Sequence, residues 1–83
     1  MDVAWVAGQR VSGIVTEHNP WGLGVMLDDR GLTVTVDLLY IGDDPLDANP
    51  DRWPEIGTRV HGVIQGETPN GQVRMSLRLS DSA

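Results

Sequence analysis

The chain has 83 residues, no cysteine and a net charge of −6, with arginine as its basic residue in all six cases. This length allows one small domain, and the lack of cysteine excludes both disulfides and a thiolate metal site, so packing alone must hold the fold. No apolar run reaches the about 18 residues that cross a membrane, and no basic leader precedes a hydrophobic stretch. We therefore expect a cytoplasmic protein that does not enter a membrane.

The acidic residues are concentrated in the middle of the chain. Residues 28–55 contain eight acids and two arginines, whereas the rest of the chain has four of each and is neutral. We call residues 28–55 the acidic block. A block of one charge sign favours a solvated surface or a partner of the opposite sign.

The first part of the chain predicts three strands. Residues 10–16 are rich in β-branched side chains, and residues 22–27 form a second strand that ends in large apolar residues. Residues 32–38 alternate between apolar and polar side chains, as a half-buried strand does. The same period of two places Val25 and Leu27 on the inner face of the second strand.

A long connection and two further strands follow. Pro45, Pro50 and Pro54 exclude a long helix from the connection and leave room for at most a single helical turn. Residues 58–65 and 72–79 have the composition of strands, and an Asn-Gly pair between them predicts a hairpin. Alternation in the last strand predicts that Val73, Met75, Leu77 and Leu79 face inwards and that Arg74, Ser76 and Arg78 face outwards.

Five short strands separated by turns favour a small closed barrel. Gly13 and Gly62 lie in the middle of predicted strands, where a tightly coiled barrel needs the chain to bend without an obstructing side chain. The expected fold class is therefore all-β.

The order of these signals resembles the S-one-type RNA-binding domain, the OB-fold repeat of the small-subunit ribosomal protein S-one. The segment "GQRVSGIVTEHNPWGLGVML" carries the first half of the family pattern, and "WPEIGTRVHGVI" and "GQVRMSLRLSD" carry the second. The positions in register are Gly8, Val11, Gly13, Val15, Trp21, Gly22, Val25, Leu27, Trp53, Gly57 and Val60.

The resemblance covers residues 8–80 and implies a five-stranded Greek-key OB-fold barrel with a short helical turn between strands 3 and 4. Residues 1–7 and 81–83 would then be flexible tails. The family binds single-stranded RNA on the face of strands 2 and 3, using two aromatic residues, a histidine and nearby basic residues. The resemblance therefore implies single-stranded RNA as a partner.

The family's binding positions are only partly retained here. Trp21 occupies the first aromatic position, whereas Gly24 falls on the second and Thr35 on the histidine. Weak binding is what this pattern implies. The residues predicted to bind nucleic acid are Trp21, Met26, Thr35, Arg10 and Arg74.

The two tryptophans near these motifs have different interpretations. Trp21 either closes the open end of the barrel or offers a flat surface on which a base stacks. Trp53, between the proline-rich loop and the fourth strand, is predicted to be a core residue. The sequence leaves the role of Trp21 open.

A protein-binding role is the alternative function. An acidic barrel with an acidic, proline-rich loop is suited to docking on a basic partner, including a partner that it inhibits by mimicking nucleic acid. The residues predicted for this role are Asp43, Asp44 and Asp47. In either case we expect a monomer.

The chain offers no arrangement of residues typical of catalysis. Its two histidines are far apart in the sequence, and no serine lies in a nucleophile motif. The acidic run "DDPLDANPD" lacks the alternating ligands and the central glycine of a calcium loop. We therefore expect a non-enzymatic module that uses no metal ion or other cofactor.

Overall fold

The computed structural model describes residues 6–28 and 31–82. Its five strands form one closed barrel in the order β1-β2-β3-β5-β4, in which β3 and β5 pair parallel and the other neighbours pair antiparallel. This architecture confirms the predicted five-stranded OB barrel. The strands are β1 (Arg10–Asn19), β2 (Gly22–Leu27), β3 (Thr33–Asp37), β4 (Arg59–Glu67) and β5 (Val73–Ser76).

The connection between β3 and β4 contains three short 3₁₀ turns instead of the single turn predicted. They span Leu38–Tyr40, Pro45–Ala48 and Pro50–Arg52. In the second and third turns a proline occupies the first position, where its fixed φ suits a helical start and its missing N–H is not needed. Each turn is capped by a side-chain oxygen of the residue before it, from Asp37, Asp44 and Asn49.

The core fills the inside of the barrel. Val25 and Leu27 are at most 1 % exposed, which confirms the predicted inner face of β2. Trp53 is 7 % exposed and belongs to the core cluster, as predicted. The other buried members of the cluster are Val15, Leu23, Val34, Val36, Ile41, Val60, Ile64 and Met75.

The two glycines in the middle of strands lie where neighbouring backbone comes closest. A Cβ atom on Gly13 would overlap the carbonyl oxygen of Met26, and one on Gly62 would overlap that of Ser76. Side chains at these two positions would push β1 away from β2 and β4 away from β5. The barrel therefore depends on both residues, as the sequence suggests.

The last strand is shorter than predicted. It ends at Ser76, which is fully buried although the alternation places it outside, and Leu79 is 79 % exposed although the alternation places it inside. Both predictions are wrong because the chain leaves the sheet after Ser76 and forms a helical turn, α1 (Leu79–Ser82). This turn contains residues that the resemblance assigns to the tail 81–83.

Side-chain hydrogen bonds hold α1 against the barrel. The carboxylate of Asp43 accepts hydrogen bonds from the backbone N–H of Leu79 (3.1 Å) and from the hydroxyl of Ser80 (2.6 Å). The hydroxyl of Ser76 donates to Asp81 at 2.6 Å, so the turn both covers and satisfies this buried group.

Residues 1–5 of the predicted tail 1–7 lie outside the described residues, and Val6 and Ala7 are exposed. Within residues 6–28 and 31–82, no helix has the length and apolar character needed to cross a bilayer.

Candidate nucleic-acid interface

Three of the predicted binding residues lie on one outer surface of the barrel. In the strand register Gly24 of β2 is opposite Thr35 of β3, and Thr35 is in turn opposite Arg74 of β5. Two residues further along β2, on the same side of the sheet, Met26 is opposite Thr33 of β3, and both side chains are exposed. We call the surface formed by these five residues the β2–β3 face. It brings together Met26, Thr35 and Arg74.

Trp21 lies at the turn that joins β1 to β2, one residue before Gly22, which is opposite Asp37 of β3. Its side chain is 57 % exposed and does not belong to the core cluster, which favours the interpretation as an exposed flat surface. Its backbone is nevertheless held in place, because its carbonyl accepts a hydrogen bond from the N–H of Leu38 (2.9 Å). An exposed indole on a hydrogen-bonded backbone is suited to stacking on a planar group.

The side chain of Glu17 fills the space next to Gly24, the residue that falls on the second aromatic position of the resemblance. A bulge between Val15 and Glu17 sets Glu17 opposite Gly24 across β1 and β2. A Cβ atom on Gly24 would lie 2.6 Å from the Cγ atom of Glu17, so the glutamate side chain lies directly over the glycine. Asn19 holds the carboxylate there by donating a hydrogen bond of 3.2 Å.

Glu17 was not among the residues selected from the sequence. Its position over Gly24 depends on the bulge, which shifts the pairing of the two strands by one residue. The sequence does show a glycine, Gly24, on one predicted strand and a long side chain, Glu17, just after the strand before it. These two residues can be recognised as neighbours only once the register of the two strands is known.

Arg74, the cation of the β2–β3 face, has an acidic neighbour. Its Nη1 atom is 3.5 Å from the Oδ2 atom of Asp37, and both side chains are more than a quarter exposed. The other oxygen of Asp37 caps the following turn by accepting the N–H of Leu39 (3.0 Å). Such an exposed ion pair contributes only about 0–1 kcal/mol, so a phosphate can compete for the arginine.

Arg10 does not lie on the β2–β3 face. It is at the start of β1, where it is opposite Val63 of β4, and β2 begins to pair with β1 only at Gly13. Arg10 instead lines a groove that also contains Ser12 and His61, whose Oγ and Nδ1 atoms are 2.7 Å apart. The structure thus separates Arg10 from the other predicted nucleic-acid contacts.

Of the three acids predicted to dock a protein, Asp43 has the most internal partners. Besides its hydrogen bonds to α1, it lies 3.7 Å from the Nε atom of Arg78. The hydrogen bond donated by Ser80 lowers the pKa of Asp43, and the backbone N–H groups of Ser80 and Leu79 act in the same direction. Asp43 is therefore ionised at neutral pH and anchors the end of the chain.

Asp44 and Asp47 stabilise the middle 3₁₀ turn. Asp44 caps it by accepting the N–H of Leu46 (2.9 Å), and Asp47 accepts the N–H of Asp44 (3.2 Å), which completes a capping box. Asp47 also pairs with Arg52 at 3.2 Å. Both carboxylates therefore have a structural role in this turn.

The described residues include no group of three or more His, Cys, Asp or Glu side chains placed to hold a metal ion. The β2–β3 face presents one arginine, two threonines and a methionine around Gly24, with the exposed indole of Trp21 at the adjoining turn and carboxylates nearby at Glu17 and Asp37. Such a set can stack, donate hydrogen bonds and pair with an anion.

No protein-family model and no curated protein sequence matches the chain. Solved structures match it in fold. GSP13 from Bacillus subtilis superposes with a TM-score of 0.77 at 19% identity, covering 100% of this chain and 63% of its own. A chain of the a/eIF2alpha–aDim2p–rRNA complex from Pyrococcus horikoshii gives 0.74 at 21% identity, covering 88% of this chain and 44% of that one.

A third match is the apo form of RNase R from Mycoplasma genitalium, with a TM-score of 0.71 at 15% identity, over 86% of this chain and 13% of that one. The chain spans less than two thirds of the length of each of these three proteins. At these identities the matches show the fold alone, which is a five-stranded OB-fold barrel.

Proposed function

We propose that this domain is a non-enzymatic module that binds single-stranded RNA weakly on the β2–β3 face. The observation that carries the proposal is the indole of Trp21, which is 57 % exposed beside that face on a hydrogen-bonded backbone. A base stacked on such an aromatic side chain contributes about 1–3 kcal/mol to binding. The presence of the same fold in a complex that contains rRNA, and in an RNase, agrees with this proposal.

The charges around the face explain why the binding is weak. Arg74 is the cation on the face itself and already has Asp37 as a neighbour at 3.5 Å. Glu17 places a second carboxylate over Gly24, where a second stacking residue would otherwise stand. One stacked base and one phosphate contact therefore act against two nearby negative charges, and we expect a Kd weaker than about 10⁻⁶ M, the tighter end of non-specific binding.

Trp21→Ala tests the proposal directly. We expect the substitution to lower the affinity for a fluorescently labelled oligouridylate by about 5-fold to 100-fold, because the stacking contribution of one base is lost. The measurement is an anisotropy titration at low salt (about 50 mM), where phosphate contacts are strongest. In the unaltered protein, quenching of tryptophan fluorescence should accompany binding.

Trp21→Phe is the matched variant, since it keeps an aromatic ring at the same place and should retain most of the affinity. Equal affinities of the unaltered protein and Trp21→Ala would contradict the proposal. So would an amide chemical-shift map in which the oligonucleotide perturbs the β1–β4 groove around Arg10 and leaves Thr33, Thr35 and Arg74 unchanged.

Asp37→Asn is expected to strengthen RNA binding. Asparagine caps a helical turn as well as aspartate does, so the N–H of Leu39 keeps its acceptor while the negative charge beside Arg74 disappears. Removing one surface charge at such a distance is worth about 1 kcal/mol, or about fivefold in affinity, and the gain should shrink as salt is raised. The same anisotropy titration measures it.

Asp51→Asn controls for the change in net charge, because Asp51 lies in the turn Pro50–Arg52 and outside the β2–β3 face. We expect this control to change the affinity much less than Asp37→Asn does. An equal gain from both variants would mean that overall charge, and not the pair at Arg74, limits binding.

A further inference from the structure

An open groove of about 320 Å³ lies in the connection that follows β3. Its apolar lining comes from Leu38, Leu39, Pro45 and Ala48. The carboxylates of Asp43 and Asp44 also line it. We call this the acidic groove. It is separate from the β2–β3 face, although the N–H of Leu38 bonds to the carbonyl of Trp21.

One of the leucines that line the groove is mostly exposed to solvent. Leu39 is 65 % exposed, and Leu46, in the neighbouring 3₁₀ turn, is 61 % exposed. Leu39 is nevertheless held firmly, because its backbone N–H is tied to Asp37. Leu39 lines the same groove as Leu38, Pro45 and Ala48, and a contiguous exposed apolar surface is typical of sites that a partner covers.

The groove has a negative electrostatic environment. Residues 37–55 contain six acids and a single basic residue, Arg52. Arg78 also lines the groove, but it lies 3.4 Å from Asp81 and 3.7 Å from Asp43, with its guanidinium over the ring of Tyr40. A cationic partner is therefore favoured here, and a phosphate backbone is repelled.

We propose that the acidic groove docks a segment of a partner protein that carries an aliphatic anchor residue flanked by arginine or lysine. The anchor would pack between Leu39 and Ala48, and its basic neighbours would face Asp43 and Asp44. A second copy of this chain does not fit this description, because each copy carries a net charge of −6. The inference goes beyond RNA binding and does not depend on it.

The walls of the groove are already ordered, which favours docking. The capping box between Asp44 and Asp47 fixes one wall, and the Asp47 side chain packs over Gly42. Asp43 joins the groove to α1 through its bonds to Leu79 and Ser80. A partner would therefore bind without first ordering these turns, which is one of the main costs of association.

The test uses the whole chain and two synthetic peptides of equal charge. One peptide contains arginine, serine and two central leucines, and in the other the leucines are replaced by serine. We expect the leucine peptide to shift the amide resonances of residues 38–48 and to bind about tenfold more tightly than the leucine-free peptide, because the leucine contact buries apolar surface. Equal binding of both peptides, or shifts outside these residues, would overturn the proposal.

Matched variants locate the contact. Leu39→Ser should weaken binding of the leucine peptide about tenfold, whereas Ile56→Ser, which alters an equally exposed aliphatic residue outside the groove, should leave it unchanged. Asp44→Asn keeps the cap and should weaken binding about fivefold, against little change for Asp51→Asn. The proposed site would be refuted if Ile56→Ser weakened peptide binding as much as Leu39→Ser, or if Asp51→Asn weakened it as much as Asp44→Asn.

The same variants separate this proposal from RNA binding. Trp21→Ala should lower the affinity for the oligouridylate and leave the affinity for the leucine peptide unchanged. Leu39→Ser should lower the affinity for the leucine peptide and leave the affinity for the oligouridylate unchanged. An unaltered amide spectrum outside the substituted segment shows that each variant is folded. If the oligouridylate, and not the peptide, shifts residues 38–48, the groove is a nucleic-acid contact and the docking proposal fails.

Discussion

Replacing Gly22 with alanine is expected to lower the free energy of unfolding by about 3–5 kcal/mol, enough to unfold much of a domain this small. Gly22 has a φ of +144°, which side chains rarely adopt. Its Cβ atom would lie 2.9 Å from the backbone nitrogen of Leu38 and would overlap the carbonyl oxygen of Val36. Because both obstacles are backbone atoms, β2 and β3 must separate to make room.

Gly31→Ala is the matched control for this prediction. Gly31 also has a positive φ, of +65°, but a Cβ atom there would meet nothing within 4 Å. We expect it to cost only about 1–2 kcal/mol, the price of the backbone conformation alone. Urea denaturation followed by far-UV circular dichroism measures both. Equal losses in the two variants would show that the overlap at β3 is not what makes Gly22 necessary.

The second large effect is expected at Trp53. This side chain is 7 % exposed within the core cluster and meets the ring of His18 edge-on, with 5.5 Å between ring centroids. His18 in turn donates a hydrogen bond of 2.7 Å to the carbonyl of Pro54, so the tryptophan and the histidine attach the long connection to β1. Trp53→Ala should lower stability by about 3–5 kcal/mol through the cavity it creates.

Trp21→Ala is the natural comparison, because the chemical change is identical and the side chain is 57 % exposed. Its cost in stability should stay below about 1 kcal/mol. Thermal unfolding by circular dichroism would distinguish the two variants, and Trp53→Phe, which restores part of the volume, should recover part of the loss. Similar destabilisation by both alanine variants would mean that Trp21 belongs to the core and would remove the basis for stacking.

Local patterns in the sequence were sufficient for the strands and most of the core. The period of two in β2 and β3 predicted the inner positions, such as Val25 and Leu27, because successive side chains of a strand point to opposite faces. Turn residues marked where strands end, and the proline-rich connection excluded a long helix. Trp53 was assigned to the core from its place between that connection and β4.

Pairing between distant segments decided the candidate site. The bulge in β1 places Glu17 over Gly24, and the parallel pairing of β3 with β5 brings Arg74 beside Asp37. Arg10, at the start of β1, is opposite Val63 of β4 and lies away from both the Glu17–Gly24 pair and the Arg74–Asp37 pair. None of these neighbours follows from residue spacing, because a shift of one residue in register reverses which side chains share a face.

The end of the chain illustrates the same limit. Alternation alone continues the last strand to Leu79, but the carboxylate of Asp43, 36 residues before Leu79, accepts the backbone N–H groups of Leu79 and Ser80. β5 ends at Ser76, whose buried hydroxyl donates a hydrogen bond to Asp81 of α1. Periodicity describes a segment by itself, whereas the boundary of this strand depends on a carboxylate that the fold brings to it.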